Sequence, residues 1–492
     1  MPVVAGVDSS TQSCTVELRD AADGRMLGRG RSPHPPTHPP VSEQAPSTWW
    51  TALTAAVHAA AGEARLAVTD IDAISVAAQC HGLVALDAAG RVIRPAKLWN
   101  DTTSAPQAKA MVERLGPSAW ADAVGSIPTA AFTITKLAWL AEHEPDHLRR
   151  LAAVLLPHDW MTYRLSGRQT TDRSEASGTG YYAAHENRWR PDLLAVLVDA
   201  EIDWAAALPT VLGPSEAVGT IQRSAAHDLG LRPDVVVGPG AGDQHAGALG
   251  LGLVPGQVVY SLGTSGVVFT VSPDPVHDAR GWVNGVADAA GGYLPLVCTL
   301  NATKVTDAFA RLLGVDHDEL ARLALAAKAT SQRPVLAAYL DGERSPDRSR
   351  ATGLLAGLTP DTSREDLARA AYEGVLLGLV RGHDAVRRAG APADGVVVAA
   401  GGGARSPAYR QLLADLLQKP VLTLDAPEAT ARGACIQAAA VLAGADVRTF
   451  RDAWRPTTTS TTEPRSAVPA EVTRRYRLLA DWAGLDQREE PE

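Results

Sequence analysis

Gly6-Val7-Asp8-Ser9-Ser10-Thr11-Gln12-Ser13 lies inside a β-rich run from Val3 to Arg19. A second stretch, Ser261-Leu262-Gly263-Thr264-Ser265-Gly266, lies inside another such run from Gln257 to Val271. Each places small hydroxyl residues at a tight turn between β-branched strands. Such turns present backbone N–H groups and hydroxyls to an anion. One alone reads equally as an ordinary hairpin, because Asp, Ser and Gly favour turns for conformational reasons. Two of them, each opening a half of the chain, predict a phosphate held from both sides by two similar domains.

Between the tips runs Gly238-Pro239-Gly240-Ala241-Gly242-Asp243-Gln244-His245. Its glycines let a ligand approach the backbone closely, and Asp243 opens a predicted helix. There it can cap the helix or accept the proton of an attacking hydroxyl, the part an Asp plays in other phosphoryl-transfer enzymes. The helix N-terminus favours its ionised form. Asp8 beside a phosphate needs a cation between them, and a lone carboxylate with phosphate oxygens suits Mg²⁺. Gly401-Gly402-Gly403-Ala404-Arg405-Ser406-Pro407 falls between a predicted strand and a helix. Three glycines there suit a flat nucleotide moiety, with Ser406 as N-cap and Pro407 first in the helix. The competing dinucleotide fold reads G-x-G-x-x-S here, with Asp425 ending the next strand; it leaves the other motifs unexplained.

Gln79-Cys80-His81-Gly82 and Leu98-Trp99-Asn100-Asp101 each end an expected strand with polar groups. Strand C-terminal ends in α/β sheets face ligand clefts. A polyol needs donors, acceptors and a flat apolar wall, and these residues supply them. Cys80 has no basic neighbour or redox partner in the sequence, so it reads as packing rather than as a nucleophile. Neither G-x-x-x-x-G-K-[ST] nor the eukaryotic-type kinase set occurs.

The 492 residues exceed one core, so two large domains are expected. The net charge of −9 with no basic block excludes nucleic acid as a natural partner. Four dispersed cysteines, without C-x-x-C spacing, fit a reducing cytoplasm rather than disulfides or a zinc knuckle. No signal peptide or apolar run of membrane-spanning length is evident, so the expectation is a cytoplasmic protein with no membrane partner. The tract Ser32 to Pro40, with two histidines among prolines, reads as a stiff connection in preference to a metal tract. A helix is expected from Ser47, as N-cap, through Ala64, and a final helix from Pro469 to Gly484. The Thr/Ser run Thr457 to Thr462 reads as a break in the strand and helix alternation.

Taken together, the motifs resemble the FGGY family of carbohydrate kinases, which includes glycerol kinases, gluconokinases and xylulokinases. Glu43-Gln44-x-Pro46-x-x-Trp49-Trp50, Gly342-Glu343-Arg344-Ser345-Pro346 and Gly353-x-Leu355-x-Gly357-Leu358 are also similar to family segments. The resemblance runs from Gly6 to about Ala443. It implies an α/β fold of two ribonuclease-H/actin-like domains around a deep cleft. Residues 1–250 would hold the sugar and the catalytic Asp; residues 251–492 would hold ATP and end in the C-terminal helix. It also implies Asp243 as base, Asp8 at Mg²⁺ and phosphate, and Ser10, Thr11, Gly263 and Thr264 at the phosphates. Gly402, Gly403 and Ser406 would hold adenosine. Cys80, His81, Asp101, Gln244 and Trp99 would line the sugar pocket. Within the family the Gln-Cys-His-Gly and Leu-Trp-Asn-Asp pair is most similar to xylulokinases, which implies D-xylulose as substrate. The alternatives are another ketopentose, a polyol or a sugar acid, or a catalytically silent actin-like nucleotide-binding protein. A homodimer is compatible with all of these. Three positions depart from the family pattern: Cys80 where Met is common, Ser10 where Gly is usual, and Thr15 where Lys or Arg often follows the tip.

Overall fold

The computed structural model describes residues 1–199, 201–328 and 330–486. Its frame is one sheet plan used twice. In the first half, Val3–Ser9 pairs antiparallel with Ser13–Asp20, which pairs antiparallel with Met26–Pro33. Val3–Ser9 also pairs in parallel with Ile71–Ala78, which pairs in parallel with Val236–Val237. In the second half, Val258–Leu262 and Gly266–Thr270 are antiparallel, and Tyr293–Thr299 continues the meander. Val258–Leu262 then pairs in parallel with Val397–Ala400, and that strand with Val421–Leu424. The order and sense of the first five strands are therefore the same in both sheets. The sequence alone carries no repeat; shared topology makes the duplication visible.

The Thr/Ser run is a strand, not a break. Thr458–Thr462 pairs antiparallel with Val421–Leu424 and closes the second sheet's edge. β-branched threonines suit a half-exposed edge strand. The first long helix is Pro46–Ala64 rather than one capped by Ser47: Ala45 is the extended N-cap, and Pro46 stands at the first turn, where its missing N–H costs nothing. The polar Leu98 to Asp101 segment follows a strand of only two residues, Ala96–Lys97. The C-terminal helix is Ala470–Ala480, and it buries Val472, Tyr476 and Ala480, so it is part of the packing and not only a surface element. No helix among the described residues is long and apolar enough to cross a membrane.

The two halves are bolted together by a helix that crosses between them. Ala429–Ala443 belongs by sequence to the second half, yet its Ala434, Cys435, Ile436 and Ala438 share a core with Val4, Ala73 and Ala77 of the first sheet. Glycines make this possible. A Cβ on Gly6 would sit 2.0 Å from the Ala431 carbonyl oxygen, one on Gly250 would sit 1.8 Å from that of Ala429, and one on Gly433 would sit 1.9 Å from that of Ala246. Helix Asp243–Gly250 and helix Ala429–Ala443 thus touch backbone to backbone. Gln437 uses the same closeness: its side chain accepts from the Gly240 N–H (2.9 Å), donates to the Gly240 carbonyl (3.0 Å), and accepts from Ser75 Oγ.

Candidate active site

The glycine loop delivers Asp243 to the start of helix Asp243–Gly250, with Gly242 as the N-cap. Asp243 Oδ1 accepts from the Gln244 N–H (2.7 Å) and from Cys80 Sγ (3.3 Å). Burial holds its carboxyl above the usual range, and the two hydrogen bonds oppose this. Gln244 itself is exposed. Asp243 therefore keeps one oxygen occupied and the other free for a proton.

Asp8 lies beside it, one residue before the end of strand Val3–Ser9. Its Oδ1 is buried with no hydrogen-bond partner. Burial, then repulsion from Asp243 and Glu428, pushes its pKa up to about 8, while Arg31 pulls it down. An orphaned carboxylate oxygen facing two other acids is the donor set a hard divalent cation satisfies, so the residues present fit Mg²⁺.

Arg31 was not found by sequence reasoning. Position 15 lacks the expected cation, but Thr15 is the register partner of Arg31 on the neighbouring strand. Arg31 Nε donates to Ser13 Oγ (3.0 Å), which sets the guanidinium beside the first tip. Arg29 and Arg31 stand two apart and so share one face of strand Met26–Pro33; only the register says which of them lies level with Asp8.

The first tip is more tied down than its sequence indicates. The Ser10 hydroxyl donates to the Ser13 carbonyl (3.1 Å). Thr11 Oγ1 donates to Gln79 Oε1 (3.1 Å) and accepts from Trp99 Nε1 (2.9 Å). Thr11 thus links the phosphate turn to Gln79 and Trp99 of the expected sugar pocket. His34, from the His/Pro tract, is buried and bonds Ser9 Oγ through Nε2 (3.1 Å). The tract is a brace for the tip.

The second tip and the glycine loop of the second half meet. The Gly263 carbonyl accepts from the Thr303 N–H (3.0 Å), and the Thr264 carbonyl from the Ala302 N–H (3.1 Å). Gly401, at φ +81°, and Gly403 both lie against Leu262, where a Cβ on either would be within 2.9 Å of it. Gly401 and Gly402 remain exposed and Ser406 half-buried. A nucleotide spanning exposed backbone and phosphate turn fits this pairing.

On the sugar side, Cys80 is buried and His81 half-buried. His81 adopts φ +65°, rare for a non-glycine. Its N–H donates to Glu175 Oε1 (2.6 Å), its carbonyl accepts from Thr133 Oγ1 (3.0 Å), and its ring stacks on Phe132. Burial, then Lys136 and Arg344, holds the imidazole well below its usual pKa, hence neutral. Arg344 reaches this pocket from the second half, inside a segment the sequence had marked only as family-like. Asp101 is placed differently from its expected role. It is fully buried, with Oδ2 accepting from the Ser42 N–H (2.9 Å) and Lys97 Nζ (3.2 Å). Its Oδ1 accepts from the Thr103 N–H (3.1 Å) and hydroxyl. Both oxygens are consumed in shaping the turn that presents Trp99. Glu175 was missed altogether, because a lone acid in Arg173-Ser174-Glu175-Ala176 carries no motif.

Two hydroxyl-rich turns, an acid at a helix start and a polar pocket are thus placed, and the relatives of the chain give its family. The profile of the FGGY family of carbohydrate kinases matches its N-terminal domain at residues 3–250 and its C-terminal domain at residues 258–442. The chain belongs to the FGGY family of carbohydrate kinases, and it is a sugar phosphotransferase with the actin-like two-domain fold. The xylulose kinase of Streptomyces coelicolor is 41% identical over 490 residues, covering 99% of this chain and 98% of that one. The crystal structure of xylulose kinase from Bifidobacterium adolescentis is 40% identical with a TM-score of 0.86, covering 96% of this chain and 99% of that one. A xylulose kinase of Escherichia coli is 35% identical over 77% of each chain.

Proposed function

We propose that this chain transfers the terminal phosphoryl group of ATP to the terminal hydroxyl of D-xylulose, giving ADP and D-xylulose 5-phosphate. The observation that carries the reading is the placement of Asp243 at a helix start against Cys80, within a chain alignable end to end with xylulose kinases.

Asp243 takes the proton of the attacking hydroxyl as the sugar oxygen bonds to the phosphorus; the bridging P–O bond breaks and ADP leaves. The neutral His81 ring, Gln79 and Trp99 orient the ketose, and Asp101 acts through the Lys97 to Thr103 turn. Asp8 would hold Mg²⁺, which neutralises charge on the phosphates when bound. Arg31, Ser10, Thr11, Gly263 and Thr264 surround those phosphates, and Gly402, Gly403 and Ser406 the adenosine. On this reading residues 1–250 carry most of the sugar contacts and residues 251–492 most of the ATP contacts. The test is ADP release over D-xylulose, L-ribulose, glycerol and D-gluconate. The largest kcat/KM is expected for D-xylulose. Preference for another sugar overturns the substrate, and no stimulation by any sugar overturns the activity.

A further inference from the structure

Cys80, Glu175 and His245 come from three separate segments, and their Sγ, carboxylate and ring-nitrogen atoms all lie within 4.8 Å of one another. All three are buried, at 8%, 1% and 3% exposure. They crowd the backbone of Gly242, where no side chain could be added. The position a Gly242 Cβ would take is 2.3 Å from Glu175 Oε2, 2.6 Å from Cys80 Sγ and 2.6 Å from His245 Nδ1. Glu175 Oε2 is buried without a hydrogen-bond partner, while its other oxygen is committed to the His81 N–H. Cys80 touches Asp243 and Glu175 holds the His81 N–H, but neither contact uses Glu175 Oε2 or the His245 ring.

We propose that Cys80, Glu175 and His245 form a binding site for a thiophilic divalent cation of the Zn²⁺ class, separate from the Mg²⁺ position at Asp8, and that its occupancy inhibits the enzyme. One sulfur, one imidazole nitrogen and one carboxylate oxygen make a zinc donor set, and the sulfur selects against Mg²⁺. Tetrahedral zinc with its usual bond lengths sets sulfur and nitrogen ~3.6 Å apart. Cys80 Sγ and His245 Nδ1 stand 3.9 Å apart, so the donors close by a few tenths of an ångström. Binding releases the Cys80 thiol proton to solvent and forms the metal–sulfur bond in its place. Asp243 Oδ1 is 3.3 Å from the same sulfur, within reach of the fourth position. A carboxylate drawn to the metal no longer accepts a proton, which is the inhibitory step; that step rests on Asp243 being the base, whereas metal binding does not.

The test is a Co²⁺ titration of the full chain. A thiolate-to-cobalt charge-transfer band should saturate at one equivalent, yield to Zn²⁺ and resist excess Mg²⁺. Cys80→Ala should abolish the band, Glu175→Gln should weaken binding at least ~10-fold, and Cys298→Ala should retain it. Absence of the band, or a band that survives Cys80→Ala, overturns the site. Zinc-edge anomalous diffraction from wild-type crystals covers the case in which the variants misfold: a peak among the three side chains supports the site, and zinc bound only elsewhere overturns it. Zn²⁺ should also lower turnover at saturating Mg²⁺, reversed by a zinc-selective chelator; binding without inhibition overturns the link to Asp243. A protein inactive on every sugar that still shows the band separates failure of the kinase reading from failure of the site.

Discussion

Thr15 and Arg31 are cross-strand partners in the first sheet, so a cation absent from the second strand is present on the third at the same height. Arg31 lies close enough to Asp8 to lower its pKa against burial and two neighbouring acids. The same site charge is thus supplied by a different strand.

Arg31→Gln should lower kcat/KM for ATP about 10- to 100-fold, the value of about 1.5–3 kcal/mol for a hydrogen bond to a charged group. The KM for sugar should change little. Thr15→Arg added to Arg31→Gln should recover part of the loss. Steady-state kinetics in both substrates check this; equal losses for ATP and sugar would argue for a folding defect.

Asp243→Asn keeps size and the hydrogen bond from Gln244 but cannot take a proton. Turnover should fall by about 10²–10⁴, with sugar affinity measured by calorimetry near that of the parent. Near-normal turnover would reduce Asp243 to a helix-start residue.

Gln437→Leu should lower both stability and turnover. It leaves the N–H and carbonyl of Gly240 without partners, at about 1–3 kcal/mol, and it loosens the loop that sets Asp243. Urea midpoints and kcat report the two effects. A variant with lower stability and unchanged kcat would show that the loop holds its shape without this contact.

His34 gives a pH dependence whose sign is fixed. Burial holds its pKa down at about 4, from 6.5. Between these values the unfolded chain binds the proton and the folded chain does not, so stability rises with pH through that window and is lost on acidification. The slope is at most about 1.4 kcal/mol per pH unit. Urea midpoints from pH 4.5 to 7.5 should converge for wild type and His34→Asn at the acid end. Parallel curves would count against this origin.

The sequence by itself determined the local devices. The two hairpin tips, the glycine loop before Asp243 and the loop before Ser406 follow from turn chemistry and short-range pattern, which neighbouring residues set among themselves. Strand pairing and helix crossing decided the rest, because those contacts join residues far apart in the chain. Arg31 is a site residue only through its register with Thr15. Glu175 is one only because its carboxylate holds the left-handed His81. Gln437 reaches Gly240 only because Gly6, Gly250 and Gly433 let one helix seat against backbone. Asp101 shows the converse: its strand-end position pointed to the sugar, but Lys97, Ser42 and Thr103 take both oxygens once the turn is folded. The Thr457 to Thr462 run became a strand for the same reason, since an edge partner at Val421–Leu424 supplies the hydrogen bonds that a polar, β-branched segment cannot make alone.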